Sequence, residues 1–123
     1  MVGNKDFTIY QGATFIKNIK WEIEDVPVNL NGYGVRMQVR PDYADRTNEV
    51  FLTASTGDGR IVIRDQDTNP GEIIITIPSS VTETLSWSMT KPARYDLEFE
   101  NGGVVTRLLQ GFMFMNKEVT RPE

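Results

Sequence analysis

The chain has 123 residues, 39% of them hydrophobic and 24% charged, and 13 basic against 17 acidic residues give a formal net charge of −4. That is the composition of an ordinary globular domain, and the two signs are mixed with no basic block, so disorder, nucleic-acid binding and polybasic membrane contact are not expected. Cysteine and histidine are both absent, which excludes disulfides, thiol chemistry and Cys or His metal sites.

Residues 1–123 are expected to form one domain. The first ten residues carry no signal-peptide apolar region, and no apolar run approaches the ~20 residues that span a bilayer. Residues 6–10 read as a first strand stopped by Gln11-Gly12. In the next strand Phe15, Ile19, Trp21 and Ile23 share one parity, which predicts a buried face that includes Trp21. Lys17 interrupts that face, and a bulge or an edge position would account for it. Residues 26–32 form a loop with two turn signals. Val35, Met37 and Val39 then alternate with Arg36, Gln38 and Arg40, the cleanest strand in the chain. Pro41 ends it, and residues 41–48 form a polar loop.

Residues 50–52 and 60–64 read as short strands that pair with each other across a hairpin-type loop at residues 55–59. Ile73, Ile75 and Ile77 share a face of the following strand, which Pro78 stops. Ser80 and Glu83 have capping-box spacing, predicting a short helix near residues 80–87 with Ser80 as its cap. Trp87 is expected to close one end of the fold. Tyr95, Leu97 and Phe99 alternate with charged residues, and Asn101-Gly102-Gly103 turns the chain into a long, mostly apolar return strand. The pattern is all-β, with about seven or eight short strands and no βαβ alternation. It predicts an antiparallel β-sandwich of immunoglobulin-like shape.

Candidate chemistry is sparse. Asp65, Asp67 and Asn69 have the alternating oxygen spacing that opens a calcium loop. Pro70 stands where the loop needs Gly, and Thr76 where it needs Glu, so a turn built on Asx hydrogen bonds is the competing reading. Glu98 and Glu100 share a strand face, which reads as solvated rather than catalytic. Ser79 and Ser80 have no histidine to act as base. No enzyme activity, cofactor or resident metal is expected. Tyr43 is an aromatic in a clearly polar loop. In the return strand both parities are apolar: Leu108, Phe112 and Phe114 on one, Leu109, Met113 and Met115 on the other. Either the strand is covered on both sides, with Gly111 marking a bulge that resets the parity, or one face meets a partner. Leu109, Met113, Met115 and Tyr43 are the interface candidates.

Several segments together resemble a known family. They are Gln11-Gly12-Ala13-Thr14-Phe15, residues 27–33 (PVNLNGY), residues 35–40 (VRMQVR), Leu85-Ser86-Trp87 ahead of Tyr95-Asp96-Leu97-Glu98, residues 105–111 (VTRLLQG) and residues 116–121 (NKEVTR). As a set they look like the small β-sandwich structural proteins of tailed bacteriophages, and are similar to the N-terminal domain of phage baseplate upper proteins. The resemblance implies a virion structural protein, made in the host cytoplasm and associated with tail or baseplate. Its partners are then other virion proteins or further copies of itself. A carbohydrate-binding module for host-surface glycans and a head-decoration protein are the alternatives.

Overall fold

A computed structural model describes residues 3–41, 50–85, 87 and 92–117. The strands are β1 (Gly3–Asn4), β2 (Phe7–Tyr10), β3 (Phe15–Lys20), β4 (Glu22–Ile23), β5 (Val26–Pro27), β6 (Gly34–Pro41), β7 (Leu52–Ser55), β8 (Ile61–Ile63), β9 (Glu72–Ile77), β10 (Ala93–Asn101) and β11 (Val104–Asn116). One helical turn, α1 (Ser79–Thr82), follows β9.

Strand periodicity decides the layers. In β6 and β10 every second side chain is apolar and buried, and the residues between them are mostly polar and less buried. Those two strands pair antiparallel at the centre of the larger sheet, whose order is β1-β11-β10-β6-β7 with β2 also on β11. The smaller sheet has the order β3-β9-β8, and β4 with β5 makes a separate ribbon. Ile73, Ile75 and Ile77 of the small sheet share one buried cluster with Met37, Val39, Leu97, Phe99, Met113 and Met115 of the large one. A three-strand sheet of that order facing β11-β10-β6-β7 is the strand arrangement of an immunoglobulin-like sandwich with one extra edge strand. The fold class expected from the sequence is therefore the one observed.

Some details differ from expectation. The strands flanking residues 55–59 do not form a hairpin: β7 pairs with β6 in the large sheet and β8 with β9 in the small one, so this loop crosses between sheets. Among the described residues there are eleven strands, because short ribbons and edge pieces count separately. The sheets are also not purely antiparallel: β1 and β2 both run parallel to β11. Parallel pairing normally needs a long crossover; here the connection is nearly the whole chain. Lys17 does occupy an edge strand, since among the described residues β3 pairs only with β9, and its ammonium lies 5.7 Å from the Phe7 ring. Trp21 is not a core residue on a continuous face with Ile23. It is half-buried at one end of the sandwich, against Phe99 at 5.1 Å and Tyr33 at 5.9 Å, while Ile23 is exposed on the ribbon. At the other end Trp87 stacks on Phe51 at 5.2 Å, and its indole N–H donates to the Met113 carbonyl.

The helix begins earlier than Ser80 and Glu83 suggest. Pro78 is its N-cap, no side chain caps it, and Ser80 lies inside the turn. What holds this turn is tertiary. The buried Thr82 hydroxyl donates to the Ala13 carbonyl at 2.8 Å, and the Gln11 amide donates to the Leu85 carbonyl at 2.9 Å.

The return strand β11 resolves its double apolar parity by a bulge, at Leu108 rather than Gly111. Leu97 faces Leu109 but Glu98 faces Arg107, so Leu108 is the extra residue. Beyond it Leu109, Gly111, Met113 and Met115 turn inward, whereas Phe112 and Phe114 face out and stay half-buried. Gly111 has another task. The segment joining β1 to β2 crosses directly over it, and a Cβ there would lie 2.2 Å from the Lys5 carbonyl oxygen. That crossing is tied by the Lys5 N–H to the Gln110 carbonyl, the Phe112 N–H to the Asp6 carboxylate, and the Tyr95 hydroxyl to the Lys5 carbonyl. Burial, and then the nearby Asp6 charge, push the Tyr95 pKa up, so the hydroxyl keeps the proton it donates.

Candidate functional site

The interface candidates separate. Met113 and Met115 are 0% exposed and belong to the core, so the expectation that they present a contact surface is corrected. The bulge at Leu108 puts them there. Leu109 is only partly buried and lines a surface groove. Tyr43 lies outside the described residues.

Asp65, Asp67 and Asn69 form a turn. The Asp65 carboxylate accepts the Asp67 N–H at 2.9 Å, its carbonyl accepts the Asn69 N–H at 2.7 Å, and the Asn69 amide donates to the Thr68 hydroxyl. These are the hydrogen bonds of an Asx turn. Among the described residues no group of three or more acidic side chains is placed to hold a metal ion.

The residue that matters in this stretch lies between the two aspartates. Gln66 is buried, and its side-chain oxygen accepts both the Leu30 N–H and the Gly71 N–H at 2.9 Å. Its amide donates to the Arg64 carbonyl at 2.7 Å. One glutamine thus joins the loop before β6 to the turn before β9. A lone Gln in a polar run carries no signal of this role. Gln66→Ala strands two buried backbone donors, and a loss of about 3 kcal/mol is expected. Urea unfolding monitored by tryptophan fluorescence checks it.

The outer face of the large sheet carries charge. Arg36 meets Glu98 at 3.0 Å, and Arg107 reaches Asp96 at 3.5 Å and Glu98 at 3.7 Å. Glu98 therefore sits between two guanidinium groups, with its own side chain only 20% exposed. Burial raises the Asp96 pKa; Arg107 opposes the rise, Glu98 adds to it, and Arg40 and Arg36 oppose it. With the native pKa above the unfolded one, the folded state binds the proton more readily. Stability then falls as pH rises from the ordinary carboxylate range through the raised native value, and levels off above it. Asp96→Asn is expected to remove that fall, measured as urea midpoints across acid to neutral pH. The effect is small because Asp96 is over a third exposed.

Two apolar features remain at the surface. On the outer face of the small sheet, Ile16 is 60% and Val62 55% exposed, and Ile74 lies directly across from Val62. At one end, Val104 in the β10–β11 hairpin and Val26 in the ribbon are 68% and 65% exposed. The groove, of about 340 Å³, lies where the β3 edge meets β1 and β11. Asn18, Lys20 and Trp21 form one wall and Gly3, Leu108 and Leu109 the other, with Lys5 beside them. No helix among the described residues is long and apolar enough to cross a membrane. No protein-family model matches the chain, and no curated protein matches it.

Proposed function

We propose that this chain is a structural subunit of a tailed-bacteriophage virion, associated with tail or baseplate, and that it acts through protein–protein contacts rather than catalysis. The observation that carries the reading is the set of exposed apolar side chains on an otherwise charged sandwich: Ile16 and Val62 on the small sheet, Val26 and Val104 at one end. Exposed apolar groups gathered on one face or end are the usual mark of a contact surface. The sequence resemblance to phage β-sandwich structural proteins supplies the setting, and the partners are other virion proteins or further copies of this chain. Immunogold electron microscopy of intact particles tests it. Label at the tail or its tip is expected; label on the head selects a decoration protein, and unlabelled particles end the virion reading.

A glycan-binding module is the second reading. What favours it is the groove lined in part by the half-buried Trp21. Titration with host-surface glycans that leaves tryptophan fluorescence unchanged removes this reading.

A further inference from the structure

We propose that the outer edge of β3 is a docking site for an extended, acidic peptide strand of a partner protein, which adds to the small sheet and lays apolar side chains into the adjoining groove. The proposal rests on the assembly reading above and specifies where one contact is made and with what chemistry.

Backbone direction comes first. Past the end of β3 the Trp21 N–H donates to the Gly71 carbonyl at 2.8 Å, continuing the register in which Ile19 faces Ile73, Lys17 faces Ile75 and Phe15 faces Ile77. Those odd-numbered residues turn their amides to β9. Antiparallel alternation then points the N–H and C=O groups of Ile16, Asn18 and Lys20 outward. No described strand pairs with them. In immunoglobulin-type sandwiches the first strand can occupy that side; here β1 and β2 are committed to β11 in the opposite sheet. Of the strands at the sheet edges, β3 is the longest, at six residues.

The groove follows this edge. A strand added beside residues 16–20 sets alternate side chains against the partly buried Leu108 and Leu109. Such addition takes affinity from main-chain hydrogen bonds and selectivity from the pockets that receive side chains.

Charge selects the occupant. Lys5, Lys17 and Lys20 stand along the edge of a protein whose net charge is −4. The ammonium groups of Lys5 and Lys17 lie 5.8 and 5.7 Å from the Phe7 ring. Lys20 pairs with Glu22 at 3.6 Å, with both side chains exposed, a weak contact that a competing carboxylate can replace. A second copy of β3 brings its own lysines against these, so self-pairing is disfavoured and an acidic strand is favoured.

The test uses the full chain and two short synthetic peptides, one alternating valine and glutamate, the other valine and lysine. With the acidic peptide, slowed exchange of the Ile16, Asn18 and Lys20 amides is expected by NMR, and with the lysine peptide none. Asn18→Pro removes an outward N–H without touching the β9 ladder and is expected to weaken binding about tenfold or more. Should Asn18→Pro fail to fold, Lys5→Glu with Lys20→Glu is expected to reverse the peptide preference. Unprotected amides at millimolar acidic peptide, equal response to both peptides, or protection by an acidic oligosaccharide but not by the peptide overturns the proposal. Labelled particles with an unprotected β3 edge remove this site alone. Unlabelled particles with a protected edge remove the virion reading alone.

Discussion

Gly111→Ala is expected to destabilise the fold by about 4–6 kcal/mol. An added Cβ meets backbone, 2.2 Å from the Lys5 carbonyl oxygen and 2.8 Å from its carbon. No rotamer change relieves a contact between two main chains, and overpacking of this kind costs about 1–3 kcal/mol before anything else is lost. Relief comes only by lifting the segment between β1 and β2 off the sheet. That breaks the bonds from Lys5 to Gln110, from Phe112 to Asp6 and from Tyr95 to Lys5, each worth about 1 kcal/mol. The urea midpoint should fall, and exchange at the Lys5 and Phe112 amides should quicken ahead of global unfolding. Gly57→Ala is the control. Its Cβ would meet nothing closer than the Ser55 hydroxyl at 3.6 Å, and a change within about 0.5 kcal/mol is expected.

Met113→Glu is expected to abolish cooperative folding. Met113 is 0% exposed, lies across from Ala93 on one side and Phe7 on the other, and its carbonyl holds the Trp87 indole. An unpaired carboxylate there costs more than most single substitutions, and the whole fold has only about 5–15 kcal/mol to lose. Met113→Ala is expected to cost about 3 kcal/mol and still fold. Circular dichroism during urea titration separates the two. Loss of assembly in the Glu variant therefore reports unfolding rather than a broken contact. Phe114→Glu, on the outward parity, tests that face of β11 without opening the core.

These two positions show what the sequence displays and what it hides. Where a strand has one wet face, as in β6 and β10, alternation alone gives its location, direction of burial and core residues. The sandwich class follows from such strands and their turns. In β11 the parity shift depends on how Leu97 and Glu98 of β10 meet residues 107–109, a long-range match with no local composition signal. Gly111 reads as a bulge marker for the same reason: a glycine required by a chain segment passing overhead looks no different from one required by a kink. Gln66 hides among acidic neighbours, since its bond to the Leu30 backbone 36 positions away leaves no spacing to detect. The cap at Ser80 failed because Thr82 and its buried bond to Ala13, rather than the first turn, fix where α1 sits.

The parallel docking of β1 and β2 on β11 also bears on how the protein is made. The Gln110 amide and the Asn4 side chain meet across 106 positions of sequence. On a ribosome, Phe7 and Ile9 emerge well before β11, the strand they pair with. Until then those two apolar side chains have no sheet to join. Closure of the large sheet along β11 therefore waits for that strand, with the slow kinetics of non-local β pairing. A nascent protein stalled before β11 exposes an unpaired apolar strand to chaperones and to its neighbours on the polysome.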